Sequence, residues 1–161
     1  MAFWLLKSEP DVFGWSHLVA KGAAGEEWSG VRNYQARNNM RAMQVGDLGF
    51  FYHSNIGKDV VGIMEVIRTS EPDSTTDDPR WDCVMVRSKQ AFKRGVSLDE
   101  IKDRPELADM VLVKNSRLSV QPVTDAEWAL ICRMGGIETE GPAPLRDPPS
   151  TPRAPLSTTR D

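Results

Sequence analysis

The element order in this 161-residue chain predicts an α+β domain: a β-sheet curled into a partly open barrel, flanked by short helices. Three observations carry that prediction. Apolar runs at 48–54, 60–68 and 83–87 follow one another with only loops between them, the pattern of an antiparallel meander. The capped, helically spaced segments fall before and after that meander rather than between its strands, which separates α+β from α/β. Finally, 40% of the residues are hydrophobic, and so few strands cover that much apolar surface by curling.

In chain order, Phe3-Trp4-Leu5-Leu6 is too short for a helix and rich in aromatics, so it reads as a buried strand. Lys7-Ser8-Glu9-Pro10 ends it, because Pro10 lacks a donor and pushes Glu9 to an extended shape. Asp11 is the expected cap of a short helix through Trp15, Leu18 and Val19, closing near Gly22. After the flexible connection Gly22–Gly25, Asn33 is the expected N-cap of a helix from Tyr34 to about Met43. Ala36, Met40 and Met43 fall at i, i+4, i+7 and make its buried stripe. Arg37 and Arg41 share a different face and repel by a few tenths of a kcal/mol, which an anion would relieve.

Gly46-Asp47 turns the chain into a strand from Leu48 to Ser54, with Phe50, Tyr52 and Ser54 on one face and Phe51 and His53 on the other. Asn55–Asp59 is a hairpin loop, and the β-branched run Val60–Arg68 returns. Glu71–Asp78 is polar and reads as a loop, and Cys83–Arg87 is the third strand of the meander. Ser97-Leu98-Asp99-Glu100 is a capping box that opens a short helix, and Pro105 starts another helical turn. Arg117–Pro122 is extended, with Pro122 arguing against a central strand. Thr124-Asp125-Ala126-Glu127 caps a last helix through Trp128, Ile131 and Met134, closed by Gly135-Gly136. The expected domain is 1–140. Six of the residues in 141–161 are proline with no apolar periodicity, so a disordered, solvated tail is expected there.

Composition excludes several functions. A net charge of −3 leaves no broad electrostatic footprint for duplex DNA, so nucleic acid would have to be held by a local patch and a shaped pocket. The two cysteines, Cys83 and Cys132, show no ligand spacing and read as packing residues of a reduced compartment; a cytoplasmic protein is expected. No run approaches transmembrane length, so no membrane partner is expected. His17 and His53 have no metal-ligand spacing, and neither a metal nor a cofactor is expected. Phosphate-loop, dinucleotide and nucleophile-elbow motifs are missing, so no catalytic residue is assigned.

Binding is better supported. No acidic residue lies between Trp28 and Gly46. Trp28 precedes a glycine and lies off any periodic face, so it is either a lid over the core or a platform on which a base stacks, worth about 1–3 kcal/mol. Lys7, Ser8, His53 and Ser54 lie at the ends of two hydrophobic strands, where barrels place binding groups. Asn33, Gln35, Asn38 and Asn39 offer donors and acceptors for a base edge, or for capping and solvation.

Several separated motifs, in order, resemble the EVE domain of the thymocyte nuclear protein family: Trp4-Leu5-Leu6-Lys7-Ser8-Glu9-Pro10, Trp28–Asn38, Phe51-Tyr52-His53-Ser54, Leu118–Val123 and Glu127-Trp128. The resemblance spans about residues 2–135. It implies a PUA-like fold related to YTH readers of N6-methyladenine. It further implies a non-catalytic module whose partner is a nucleic acid carrying a modified base, modified cytosine in DNA first and RNA second. Carried over, the pocket residues are Lys7, Ser8, Trp28, Asn33, Tyr34, Gln35, His53, Ser54 and Leu118. Arg32, Arg37 and Arg41 are assigned to phosphates on physical grounds. A monomer is expected. An enzyme acting on a modified nucleobase is the competing class.

Overall fold

The computed structural model describes residues 1–137. The expected domain end at 140 and the tail at 141–161 lie outside the described residues. A mixed sheet of six strands runs in the order β2-β5-β4-β3-β1-β6. The strands are β1 (Phe3–Ser8), β2 (Glu26–Glu27), β3 (Leu48–His53), β4 (Asp59–Pro72), β5 (Asp82–Ser97) and β6 (Val120–Val123). β3, β4 and β5 form the expected antiparallel meander. β1 pairs parallel with β3, Leu5 opposite Phe50. A parallel pair needs a long crossover. Here it holds the helices α1 (Pro10–Phe13), α2 (Trp15–Lys21) and α3 (Tyr34–Ala42). The edge strands β2 and β6 do not pair with each other, so the barrel stays open. Pro122 lies in β6, an edge strand, where its missing donor costs no ladder bond.

Period-two alternation sends β1 and β3 residues to two apolar clusters. Leu5, Phe50 and Tyr52 join Trp128 and Ile131 of α6 (Asp125–Met134), with α4 (Leu98–Lys102) and α5 (Val111–Lys114) contributing Ile101 and Leu112. Trp4, Leu6 and Phe51 join Leu18, Trp28, Ala36 and Met40 on the other face. A buried carboxylate, Asp47, ties the second cluster's floor: it accepts from Ala2 N–H, Trp4 Nε1–H and Gln44 N–H, each at 3.0 Å.

Local chemistry set most elements as expected. Asn33 Oδ1 accepts from Ala36 N–H at 2.9 Å, and Ser97 and Thr124 make full capping boxes with Glu100 and Glu127. Four details differ. Asp11 does not cap: Pro10 takes the first helical position, Glu9 precedes it, and no side-chain cap bond forms. The expected single helix is two, broken where Gly14 is extended. Ser54 lies past the end of β3, held by a bond from its N–H to the Ser8 carbonyl at 2.9 Å. β4 and β5 run far beyond the apolar cores that announced them, because register shifts keep the two long strands paired through bends. One glycine permits the packing of α2 on that ribbon: a Cβ at Gly62 would lie 2.5 Å from the Trp15 ring.

Candidate nucleic-acid interface

A cavity of about 410 Å³ opens at the end of β1. That volume suits a small-molecule-sized ligand. Lys7 and Ser8 reach it from β1, Val12 and Phe13 from α1, Glu26 and Glu27 from β2, and Ser29 to Arg32 from the segment after Trp28. Ser119 closes it from the segment before β6. Trp28 is one of its walls and also a core residue, 7% exposed. Its ring meets Phe51 edge-on at 5.4 Å and Phe13 at 6.4 Å, the arrangement aromatic quadrupoles favour.

The stretch after Trp28 is pinned from a distance. Trp28 N–H donates to the Val84 carbonyl at 2.8 Å. Gly30 N–H donates to Asp73 Oδ2 at 2.8 Å, and Arg32 reaches the same oxygen at 3.0 Å. Asp73 also accepts from the Thr75 N–H and hydroxyl. Burial opposes its charge, but the bonds from Thr75, Gly30 and Arg32 prevail and hold its carboxyl down at about 2. Asp73 therefore shapes the cavity rim, and sequence reading missed it. It sat in a polar loop whose composition says nothing about a partner some 40 residues back. Phe13 and Val12 were missed as well. Phe13 lies off the stripe through Trp15 and Leu18, which was the available signal.

The expected pocket residues divide. Ser8, Trp28 and Arg32 line the cavity. The Ser8 hydroxyl donates to the Phe13 carbonyl at 2.6 Å and keeps lone pairs for a ligand. Lys7 also lines it, while its ammonium is held by the Ser116 carbonyl at 2.6 Å and lies 5.8 Å from the Tyr52 ring centre, in the other cluster. Burial lowers its pKa. Leu118 is buried beside the cavity without lining it, and its neighbour Ser119 does so instead.

Asn33, Tyr34, Gln35, His53 and Ser54 lie apart from the cavity lining. Asn33 spends its carbonyl on the helix cap, Asn38 accepts from Arg37, and Asn39 donates to the Val120 carbonyl. Gln35 is exposed. Tyr34, half exposed, stacks on Trp81 at 5.1 Å and accepts from Arg80. His53 accepts from the Trp15 N–H at 3.1 Å. Of the three expected phosphate arginines, Arg32 pairs with Asp73 and Arg41 with Asp82. Arg37 instead meets the Arg80 carbonyl and the Asn38 side chain, and lies 4.9 Å over the Tyr34 ring.

Among the described residues, no three of His, Cys, Asp and Glu converge as a metal site, and no helix is long and apolar enough to cross a membrane. The arrangement can hold a flat, partly polar ligand by aromatic contact and hydrogen bonds.

Comparison with known proteins matches residues 2–134 to the EVE domain family. The chain is similar to a crystal structure of an Agrobacterium tumefaciens protein, 55% identical over 90% of this chain and 100% of that one, with a TM-score of 0.86. It is also similar to the human THYN1 protein, solved in complex with 5-methylcytosine-containing DNA. There the identity is 33%, the coverage 86% and 100%, and the TM-score 0.77. A Zygosaccharomyces rouxii YTH domain, 18% identical over 91% of this chain and 89% of its own length with a TM-score of 0.53, shares the PUA-like fold alone.

Proposed function

The chain belongs to the EVE domain family, and from that premise we propose that it is a non-catalytic module that recognises a modified base, 5-methylcytosine in DNA first, in the cavity at the end of β1. The observation that carries the reading is the convergence of Ser8, Phe13, Trp28, Arg32 and Ser119 on one cavity large enough to admit a base. Its support is a relative of the same fold solved with DNA carrying that base.

The base leaves its stack at a cost of a few kcal/mol. Contact with Trp28 and Phe13 offsets that cost, at about 1–3 kcal/mol per stacked base. Ser8 and Ser119 offer hydroxyl groups to the base edge, each able to donate to or accept from it. The methyl group fills apolar space near Val12, Phe13 and Val31, worth about 1–3 kcal/mol, so discrimination against unmodified cytosine is about one to two decades. Lys7 lines the floor, Leu118, Ser54 and His53 support the walls from behind, and Asn33, Tyr34 and Gln35 border the approach. Arg37 contacts phosphate, and Arg32 and Arg41 do so by sharing their carboxylate partners. Buried, free Cys83 and Cys132 fit a reducing compartment, cytoplasmic or nuclear.

Val12 gives a clean test, being 76% exposed at the cavity mouth and outside the core. Val12→Glu places a second negative charge against an anionic ligand. Its affinity for a duplex with one 5-methylcytosine should fall at least about tenfold with Tm unchanged, the size expected of like charges forced together. Binding equal to that of the parent protein would remove the cavity from the interface. Parallel titration of RNA of the same sequence decides between the two nucleic acids.

A further inference from the structure

The corner between α1 and α2 gathers side-chain hydrogen bonds on three consecutive residues. The Ser8 hydroxyl donates to the Phe13 carbonyl at 2.6 Å. Nδ1 of His17 accepts from the Gly14 N–H at 2.7 Å. Nε2 of His53 accepts from the Trp15 N–H at 3.1 Å, across 38 residues of chain. His17 and His53 are the only histidines in the sequence, so both are committed to one corner. Val12 and Phe13, immediately before it, are cavity wall.

An imidazole nitrogen that accepts a hydrogen bond carries no proton, so both bonds require neutral rings. In His53 the proton then sits on Nδ1, 3.8 Å from Asp59 Oδ1, a buried oxygen with no hydrogen-bond partner among the described residues. Asp59, on β4, is the charged group that faces this ring. β1 brings Ser8 opposite it, α2 brings the Trp15 amide, and the Phe51 ring meets it edge-on at 5.5 Å. His17 stacks on Phe13 at 5.7 Å and makes no ion pair among the described residues. Burial keeps His53 below the ordinary histidine range, against the pull of Asp59, so its ring is neutral near pH 7.

We propose that His17 and His53 are positioning residues: as acceptors they hold the Phe13–Trp15 corner and with it the Val12–Phe13 wall, and protonation of His53 releases the Trp15 end of that corner. Protonation turns the Nε2 acceptor of His53 into a donor facing the Trp15 N–H, so that amide loses its partner. The effect on nucleic acid rests on the modified-base reading; the effect on the corner does not.

The test follows protection of the Trp15 amide against hydrogen exchange in the full chain, from about pH 7.5 down to about pH 4.5, a window that extends below the ordinary histidine range. Protection corrected for the intrinsic rate should fall about three- to tenfold at the Trp15 amide, the worth of one ordinary hydrogen bond, while α6 amides stay unchanged. His53→Gln supplies an acceptor that does not titrate, so Trp15 protection should become flat with pH. Flat protection in the parent protein, or a His53→Gln profile that follows the parent, overturns the proposal. The second readout is affinity for a duplex carrying one 5-methylcytosine. It should fall by a similar factor on acidification and in His53→Ala at about pH 7.5, with His53→Gln restoring most of the loss. If the Trp15 amide responds as stated and the parent protein binds no such duplex at any pH, the corner stands and the base reading fails.

Discussion

The two faces of β1 and β3 carry side chains of the same kinds and are covered in different ways. On one, Phe3, Trp128 and Phe50 stack face to face, with centroids at 4.4 and 3.9 Å, under a ten-residue helix opened by a full capping box. On the other, Trp28, Phe51, Phe13 and Trp15 meet edge-on or tilted at 5.4–6.5 Å, under helices of four, seven and nine residues. A short helix supplies little stability of its own. Alongside the apolar contacts of α3, the second face therefore relies on polar anchors, namely Asp73, Ser8 and the two histidines, to fix its two shortest helices and the segment after Trp28. The difference teaches why the cavity is there. A continuous stack leaves no space, whereas short pieces pinned at their backbones leave a gap with polar groups at its rim.

Truncation tests the contrast most severely. Trp128→Ala should cost about 3–5 kcal/mol in urea unfolding, since it empties a sealed stack. Trp28→Ala should cost less, near the lower end of that range, because its site already opens on a cavity that water can enter. It should also lose binding to 5-methylcytosine DNA, whereas a binding loss in Trp128→Ala beyond its unfolded fraction would contradict the division. Equal stability costs would mean that the two faces are packed alike.

Next in size is Asp73→Asn. It keeps the shape but weakens bonds to the Gly30 amide and Arg32, and should cost about 1–3 kcal/mol. The pH dependence has a definite sign. The folded carboxyl sits at about 2, below the ordinary 3.8, so its contribution is complete above about pH 4 and is lost as pH falls toward 2. The substitution should remove about 2 kcal/mol of that acid-dependent stability, measured as the difference between parent and variant unfolding curves. A parent and variant that lose stability in parallel through that window would show that Asp73 does not anchor the rim.

Arg37→Ala should move stability least, within about 0.5 kcal/mol, as a substitution outside the core does. It should weaken binding to all sequences alike and lower the slope of log K against log salt by about 0.9, the loss of one phosphate contact. A changed base preference with an unchanged slope would move Arg37 from the backbone to the base.

Much of the architecture was legible before any coordinates. The stripe Ala36, Met40, Met43 is buried, Phe50 and Phe51 face opposite clusters, and the Asn33, Ser97 and Thr124 caps all form. The family motifs pointed to Ser8 and Trp28, which do line one cavity. The amide-rich run from Asn33 to Asn39 was less legible. Asn33, Asn38 and Asn39 are engaged within the fold, since a side chain that can read a base can equally satisfy a nearby backbone or guanidinium group. Trp28 is a core residue whose exposed remainder lines the cavity.

By itself, then, the sequence determined whatever acts within a few residues: strand alternation, helix caps, and the punctuation at Pro10, Gly22 and Gly46. Such signals operate over one or two turns of chain, where neighbours in sequence are neighbours in space. The tertiary structure alone decided that Asp73 would grip Gly30 across 43 residues and His53 would hold Trp15 across 38. A buried donor must find an acceptor, but the rule does not say which one. That choice is made only when the sheet assembles and brings distant strand ends to the same corner.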